Sequence, residues 1–279
     1  MEFIYNILNM LPFEFIKYDF MKNALIAVIV ITPLFAMLGT MAVNNKMAFF
    51  SDALGHSAFT GIAIGILLGL ENPVLSMVAF GILLGLVISR VKSYRTASAD
   101  TIISVFSSVS VALGIVILSK NGGFSKYSSY LIGDILIVTP GETAVMLAVL
   151  AVCYAVWFKI YNRLLLISIN QSLASSRGIT CAVIENIFVV MLSVSVMLSV
   201  KWIGILTINS FLILPPAAAR NIAVNSRQYH FYSLAVGMLC GIAGLIISFY
   251  ADTSAGATMV LVSAAVYFVT LVFKKGVRK

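Results

Sequence analysis

The sequence predicts an all-α membrane protein with about nine transmembrane segments. Hydrophobic residues make up 61% of the 279 residues, and only 10% are charged. Soluble domains carry about 25% charged residues, so a soluble protein of this composition would lack the polar side chains needed to cover its core. The apolar residues also fall into runs of roughly 20, which is the length that a helix needs to cross a bilayer. The lipid bilayer is therefore the expected surroundings of this chain.

Nine apolar runs can form these segments, and we expect them to belong to a single permease-like domain over residues 1–279. The seventh run contains Pro215 and Pro216, where we expect the helix to be broken because proline lacks a backbone N–H. Residues 1–21 carry acids and no basic start or cleavage site, which predicts an interfacial segment and not a secretory signal. The runs cover 22–43, 53–70, 73–91, 101–119, 140–158, 181–200, 202–219, 230–250 and 257–273.

The basic residues predict orientation and argue against nucleic acid as a partner. The net charge is +8, but lysine and arginine lie in short loops between apolar runs, which is typical of charges that set topology. The tail KKGVRK predicts a cytoplasmic C-terminus, and residues 159–180 then also lie on the cytoplasmic side. Charges in the first half are balanced and leave the side of the N-terminus open. The stretch YLIGDILIVT, about ten residues long, is too short to cross the bilayer.

Glycines recur at four-residue spacing in the second and third runs. Gly61, Gly65 and Gly69 form one series, and Gly81 and Gly85 form the other. Small residues at positions i and i+4 allow helix backbones to approach closely in lipid. We therefore expect a helix-packing face, which is compatible with backbone lining a narrow pathway.

Asp52 and His56 are the strongest candidates for a functional site. Helical spacing places both on one polar stripe with Thr60. An ionised side chain at the bilayer centre costs about 2.5–3.5 kcal/mol, so such residues usually face a cavity and act there. Carboxylate oxygen and imidazole nitrogen suit Zn²⁺, Mn²⁺ or Fe²⁺. From the residues alone, a transient metal site and an Asp–His hydrogen bond that joins two helices are equally open.

The remaining acids and the second histidine have weaker assignments. Asp100, Asp134 and Glu185 are kept as weaker candidates for a metal pathway, although Asp100 could also favour a helix N-terminus. Asp252 is expected on the external side, where it could contact a partner or only shape a turn. His230 stands at a basic loop boundary and is expected to be interfacial.

The sequence lacks the motifs of nucleotide and hydrolytic chemistry. It has no P-loop, no H-E-x-x-H and no G-x-S-x-G. An intramembrane metal enzyme using Asp52 and His56 would lack a third ligand nearby, and a membrane scaffold would make every polar residue structural. A transport subunit that is not itself an enzyme is the preferred hypothesis.

Four ordered stretches resemble the permease subunits of bacterial ATP-binding-cassette (ABC) importers for zinc, manganese or iron. They are MAFFSDALGHSAFTGIAIG, YLIGDILIVTP, GILTINSFLILPPAAARNIA and ADTSAGATMVLVSAAVYF, and the resemblance covers nearly the whole chain from about residue 22. It implies the architecture of a type II importer, similar to the vitamin B12 permease, in the bacterial cytoplasmic membrane. The stretches GDILIVTP and LENP are closer to zinc-type permeases, so zinc is favoured over manganese.

The resemblance also implies partners and roles. The partners are a second copy of the chain, cytoplasmic ATPase subunits and an extracytoplasmic metal-binding protein. Asp52 and His56 would belong to the ion pathway, with the metal ion as cargo and no permanently bound cofactor. Residues 159–180 would be the cytoplasmic coupling loop, although Asn170 and Gln171 stand where the family often has acids. The residues expected to contact the ATPase are Leu173, Ala174, Ser175, Ser176, Arg177 and Gly178.

Overall fold

The computed structural model describes residue 5 and residues 13–94, 97–120 and 133–277, with side chains described up to residue 274. Within these ranges the chain is helical and contains no strand. Short 3-10 helices cover Glu14–Lys17 and Ile135–Ile137. The α-helices are α1 (Asp19–Asn44), α2 (Phe50–Leu67), α3 (Pro73–Ser93), α4 (Ala99–Lys120), α5 (Pro140–Ile169), α6 (Gln171–Ser176), α7 (Cys181–Ile222), α8 (Ser226–Ala251) and α9 (Ala255–Val277).

Every described α-helix except α6 is long and apolar enough to cross a membrane, which gives eight candidate spans in this part of the chain. The predicted all-α, multi-pass protein is therefore confirmed. The difference from nine segments arises at α7, whose 42 residues cover both the sixth and the seventh predicted runs. A straight helix of that length would measure about 63 Å, twice the thickness of the hydrocarbon layer.

The break in α7 lies at Gly204 and not at the prolines. Gly204 has φ 73° and ψ 161°, a backbone conformation that side chains other than glycine rarely adopt. The prediction of a break at Pro215 and Pro216 is wrong, because both lie inside continuous helix. The fixed φ of proline is itself helical, so the pair removes hydrogen bonds without ending the helix. The carbonyl oxygen of Leu212 on α7 loses its helical hydrogen bond to residue 216. A Cβ on Gly39 of α1 would overlap this oxygen, so α1 and α7 pack closely here.

The Gly204 break is filled by the segment that contains GDILIVTP. Gly133 has φ 56°, and a Cβ on it would come within 2.5 Å of the carbonyl carbon of Ile203. Backbone therefore packs on backbone, which requires glycine at both contacts. Residues 133–139 contain only the three-residue 3-10 helix, as expected for a segment too short to cross. The first part of the YLIGDILIVT stretch, up to residue 132, lies outside the described residues.

The chain forms two compact units. The first comprises Met1–Thr40, Gly133–Val152 and Trp202–Lys279, and the second comprises Met41–Ile132 and Cys153–Lys201. Helices α1, α5 and α7 contribute residues to both units. The assignment of residues 1–279 to a single domain remains a prediction.

In the first unit, glycines on α8 allow close packing on both sides. A Cβ on Gly237 would lie 2.8 Å from Thr32 Cγ2, and a Cβ on Gly244 would lie 2.5 Å from the Cα of Met259. Helix α8 is thereby held against α1 and α9.

In the second unit, the predicted glycine face is largely confirmed. A Cβ on Gly61 would lie 2.5 Å from the Cα of Met77, and one on Gly81 would lie 2.5 Å from the side chain of Met197. Gly69 is different, because nothing lies within 4 Å of its Cβ position. It has φ 68° and ends α2, with its N–H bonded to the Ile66 carbonyl. Its expected role in packing is therefore wrong, and its role is that of a helix cap.

Candidate metal-binding site

Helix α2 leaves Asp52 and His56 accessible and buries the other side chains of its first part. From Phe50 to Ala63, these are the two positions that are not buried. Asp52 lies in the first turn of the helix, where the helix dipole stabilises a carboxylate. A polar pair that stays accessible on an otherwise buried stretch of helix can contact a group that is not part of the helix packing.

The two side chains contact each other and remain accessible. His56 Nε2 lies 3.4 Å from Asp52 Oδ1, and the side chains are 43% and 45% exposed. The predicted stripe is shorter than expected, because Thr60 is buried and its hydroxyl donates to the Ser110 carbonyl of α4. The accessible part of the stripe is therefore the Asp52–His56 pair, and Thr60 joins α2 to α4.

A cavity of about 430 Å³ between α2 and α4 brings Asp100 to the same site as Asp52. On α4, Asp100 is followed at helical spacing by three serines that also line this cavity. Sequence reasoning missed the serines, although their spacing of four, seven and eight residues from Asp100 is the signal of one helix face. We call this space the acidic cavity; its lining is Phe49, Asp52, Ala53, Asp100, Ile103, Ser104, Ser107 and Ser108.

The site offers fewer ligands than a closed metal centre. Among the described residues, no group of three or more His, Cys, Asp or Glu side chains is arranged to hold a metal ion. A structural zinc site takes four ligands. Asp52 and His56 together supply a pair that can hold a divalent ion only weakly, unless ligands come from elsewhere.

Glu185 lies in a different cavity from Asp52. This second cavity, of about 570 Å³, is also lined by Lys92, and the two opposite charges attract each other. Lys92 Nζ also donates to the Asn45 carbonyl oxygen at 3.3 Å. We call this space the lysine cavity. The structure thus places Glu185 beside a cation and away from the acidic cavity.

The other candidates lie in the first unit and have local partners. Asp134 accepts a hydrogen bond from the Leu136 N–H at 2.9 Å and caps the 3-10 helix. Asp252 ends α8 with φ 51° in the left-handed region. His230 is half-buried, and its Nδ1 lies 2.8 Å from Thr40 Oγ1. The structure does not bring these residues together into one cluster.

The expected coupling loop is more helical than predicted. Helix α5 continues from the fifth predicted run to Ile169, and α6 follows after a single residue. That residue, Asn170, accepts a hydrogen bond from the Leu173 N–H at 3.0 Å and so caps α6. Asparagine is among the residues preferred at an N-cap, so Asn170 suits the start of α6. Gly178 has φ 76°, which turns the chain after α6.

The surface of α6 is polar and open. Ala174 is fully buried, while Leu173 is 43% exposed and the following residues from Ser175 to Gly178 are exposed. One buried side chain anchors the short helix, and the others are presented outward.

The chain matches known transport proteins over almost its whole length. The model of the ABC 3 transport family matches residues 17–274. A Haemophilus influenzae protein named "High-affinity zinc uptake system membrane protein ZnuB" is 30% identical over 259 residues, which cover 92% of this chain and 98% of the relative. A Streptococcus gordonii protein named "Manganese import system permease protein ScaB" is 27% identical over 261 residues, covering 92% of this chain and 94% of the relative.

A solved structure gives the same result for the fold. The structure titled "PsaBC from Streptococcus pneumoniae in complex with Fab" superimposes with a TM-score of 0.78 at 25% identity, covering 97% of this chain and 95% of the other. Together with the family match, this superposition confirms the predicted fold class. The chain belongs to the ABC 3 transport family.

Proposed function

We propose that this chain is the membrane-spanning permease subunit of an ATP-driven importer of divalent metal ions, with zinc as its cargo and manganese as the alternative. The observation that carries the proposal is the open Asp52–His56 pair on a helix whose surrounding positions are buried. The names of the relatives, one for zinc and one for manganese, support a metal ion as cargo.

The pair gives the ion a short stop on its path. A divalent ion in an apolar surrounding needs nearby negative charge, which Asp52 and Asp100 would supply. The Asp52 carboxylate and the His56 imidazole would replace part of its water shell. Two protein ligands bind weakly enough to allow release, which conduction requires.

A second copy of the chain would complete the pathway. If each copy contributes an Asp52–His56 pair, the two copies offer the ion two weak stops, neither of which is a closed four-ligand zinc site. The serines of the acidic cavity would add neutral oxygens along the way. This scheme includes no permanently bound cofactor, because the metal ion is cargo.

The energy would come from other subunits. The chain carries no nucleotide-binding motif of the P-loop type, so separate cytoplasmic ATPase subunits would hydrolyse ATP. The exposed residues of α6, from Leu173 to Gly178, would contact them, and an extracytoplasmic protein would deliver the ion. In this arrangement the permease lies in the bacterial cytoplasmic membrane with its C-terminus in the cytoplasm.

The choice between zinc and manganese depends on more than the ligand pair. One carboxylate and one imidazole bind both ions, and the general order of affinity favours zinc at any such site. The GDILIVTP and LENP stretches favour zinc, and the cargo itself has to be measured.

Uptake measurements test the proposal. Cells carrying the chain with its ATPase and binding protein should accumulate radiolabelled zinc, and manganese less well. Asp52→Ala and His56→Ala should abolish uptake while the assembled complex persists in the membrane. Asp252→Asn, at a turn where asparagine tolerates the left-handed backbone, is the control and should retain uptake. Normal uptake by both site variants would contradict the assigned role.

A further inference from the structure

The lysine cavity lies where five helices of the second unit begin or end. It is lined by the last residues of α1, α3 and α5 and by the first residues of α4 and α7. Its lining also includes Gln171, the first residue of α6. The cavity therefore adjoins both α6 and the turn that leads from α1 into α2, the helix of Asp52 and His56.

Lys92 connects two sides of this cavity. From the end of α3, its ammonium group donates to the carbonyl oxygen of Asn45 in the α1–α2 turn at 3.3 Å. The carboxylate of Glu185 on α7 lines the same cavity, so the two opposite charges attract each other across it without forming a direct ion pair. Both side chains are half-buried, so water screens this attraction less than it would at an exposed surface. One side chain thus holds the turn before α2 and faces the charge on α7.

The first turn of α7 is in turn attached to α6. Cys181 Sγ lies 3.4 Å from Ser175 Oγ and 3.8 Å from the carbonyl oxygen of Gln171. Glu185 follows Cys181 by one helical turn on α7. A displacement of α6 would therefore carry the start of α7 and the Glu185 carboxylate with it.

Tight packing on one side of the cavity limits how much of this displacement can be absorbed. A Cβ on Gly85 of α3 would lie 2.6 Å from Ser193 Oγ, 3.0 Å from Val189 Cγ1 and 3.2 Å from Phe50 Cζ. Helices α3, α7 and α2 are thus in contact about two turns of α3 before Lys92. Close-packed interiors transmit small shifts, because they have little free volume.

We propose that Lys92 is a positioning residue that couples movement of α6 to the Asp52–His56 pair. When α6 moves, Glu185 moves with the start of α7, and Lys92 follows the carboxylate while it holds the Asn45 carbonyl. The turn before α2 then shifts, and with it the orientation of Asp52. This inference rests on the proposed function, in which an ATPase subunit acts on α6.

Transport stoichiometry in the reconstituted complex tests the inference. The permease, its ATPase and its binding protein are placed in liposomes, and zinc uptake and ATP hydrolysis are measured in the same sample. Lys92→Met keeps most of the length of the side chain but removes its charge and its donors. We expect hydrolysis to persist while the number of ions transported per ATP falls about tenfold, within the range typical of coupling between sites.

Four further variants make the result specific. Lys92→Arg keeps the charge and the donors and should restore the stoichiometry, whereas Glu185→Gln should lower it. Lys92→Met combined with Glu185→Gln should be no worse than Lys92→Met alone, because both act on one interaction. Lys120→Met, the same change at an exposed lysine at the end of α4 and outside both cavities, should leave the stoichiometry unchanged.

The outcomes separate this inference from the function on which it rests. An unchanged ratio of ions to ATP in Lys92→Met would overturn it, as would a parallel loss of hydrolysis and uptake that Lys92→Arg does not rescue. If Lys92→Met fails to assemble, Glu185→Gln alone carries the same test. A wild-type complex that takes up neither zinc nor manganese would overturn the proposed function, and the inference with it.

Discussion

The acidic cavity and the lysine cavity belong to the same unit but have opposite electrostatic character. Asp52 and Asp100 line the first beside serine hydroxyls, and no lysine or arginine is part of its described lining. In the second, Glu185 shares the space with Lys92. Two carboxylates in one cavity attract a cation from outside, whereas a carboxylate that shares its cavity with a lysine has part of its charge offset. In our proposals, the same residue type thus serves cargo in one cavity and coupling in the other.

The largest effect on this electrostatic difference is expected when a lysine is placed in the acidic cavity. Asp52→Lys should reduce zinc uptake by more than about 100-fold, because like charges brought together cost several kcal/mol. Uptake of radiolabelled zinc by the assembled complex measures the effect. Glu71→Lys inverts a charge in the exposed turn between α2 and α3 and should leave uptake close to normal. Equal uptake in both variants would show that the charge of the acidic cavity is unimportant.

The next prediction concerns the packing that borders the lysine cavity. Gly85→Leu would force a side chain between α3 and α7, at a cost of about 1–3 kcal/mol for overpacking. The purified protein in detergent should therefore lose its folded form at a lower temperature, as followed by size-exclusion chromatography after heating. Gly141→Leu is the matched control, since nothing lies within 4 Å of its Cβ position. Equal thermal stability of the two variants would argue against close packing at Gly85.

A smaller effect, on uptake, distinguishes the two cavities by kinetics. Asp100→Asn should raise the zinc concentration that gives half-maximal uptake by roughly tenfold, because it removes one charge that attracts the ion. Glu185→Gln should leave that concentration unchanged and lower only the number of ions transported per ATP. Concentration-dependent uptake with parallel measurement of ATP hydrolysis separates the two effects. The reverse pattern would exchange the roles assigned to the cavities.

The smallest expected effect is at the serines of α4. Ser104→Ala with Ser108→Ala should reduce the maximal uptake rate by about two- to threefold, because hydroxyl oxygens assist the ion without carrying charge. Ser93→Ala, at the lysine cavity, is the control and should not change the rate. An abolished uptake in the double variant would instead assign the serines as essential ligands.

Much of the fold follows from local sequence, because a run of apolar residues is enough to specify a spanning helix. The positions at which these helices break do not follow from local sequence. Pro215 and Pro216 remain in continuous helix, since their fixed φ is helical, while Gly204 breaks α7 where Gly133 packs on it. The contact between the two glycines joins residues far apart in the chain, so neither position reveals it alone.

The candidate metal-binding site shows the same limit of prediction from local sequence. Periodicity placed Asp52, His56 and Thr60 on one stripe, but Thr60 is covered by α4. Which residues on a helix face remain open depends on the neighbouring helices, and local spacing does not encode this. The proximity of Asp100 to Asp52 across the acidic cavity is likewise a product of packing between α2 and α4.

The central claim is that Asp52 and His56 bind the metal ion in transit, and zinc X-ray absorption spectroscopy tests it most directly. The permease–ATPase complex is loaded with zinc without the binding protein, so that no other metal-delivery site contributes to the spectrum. We expect scattering from imidazole nitrogen at about 2.0–2.1 Å, the distance typical of zinc–histidine bonds, and its loss in His56→Ala. An imidazole signal that persists unchanged in His56→Ala would contradict the assignment of this pair to the ion pathway.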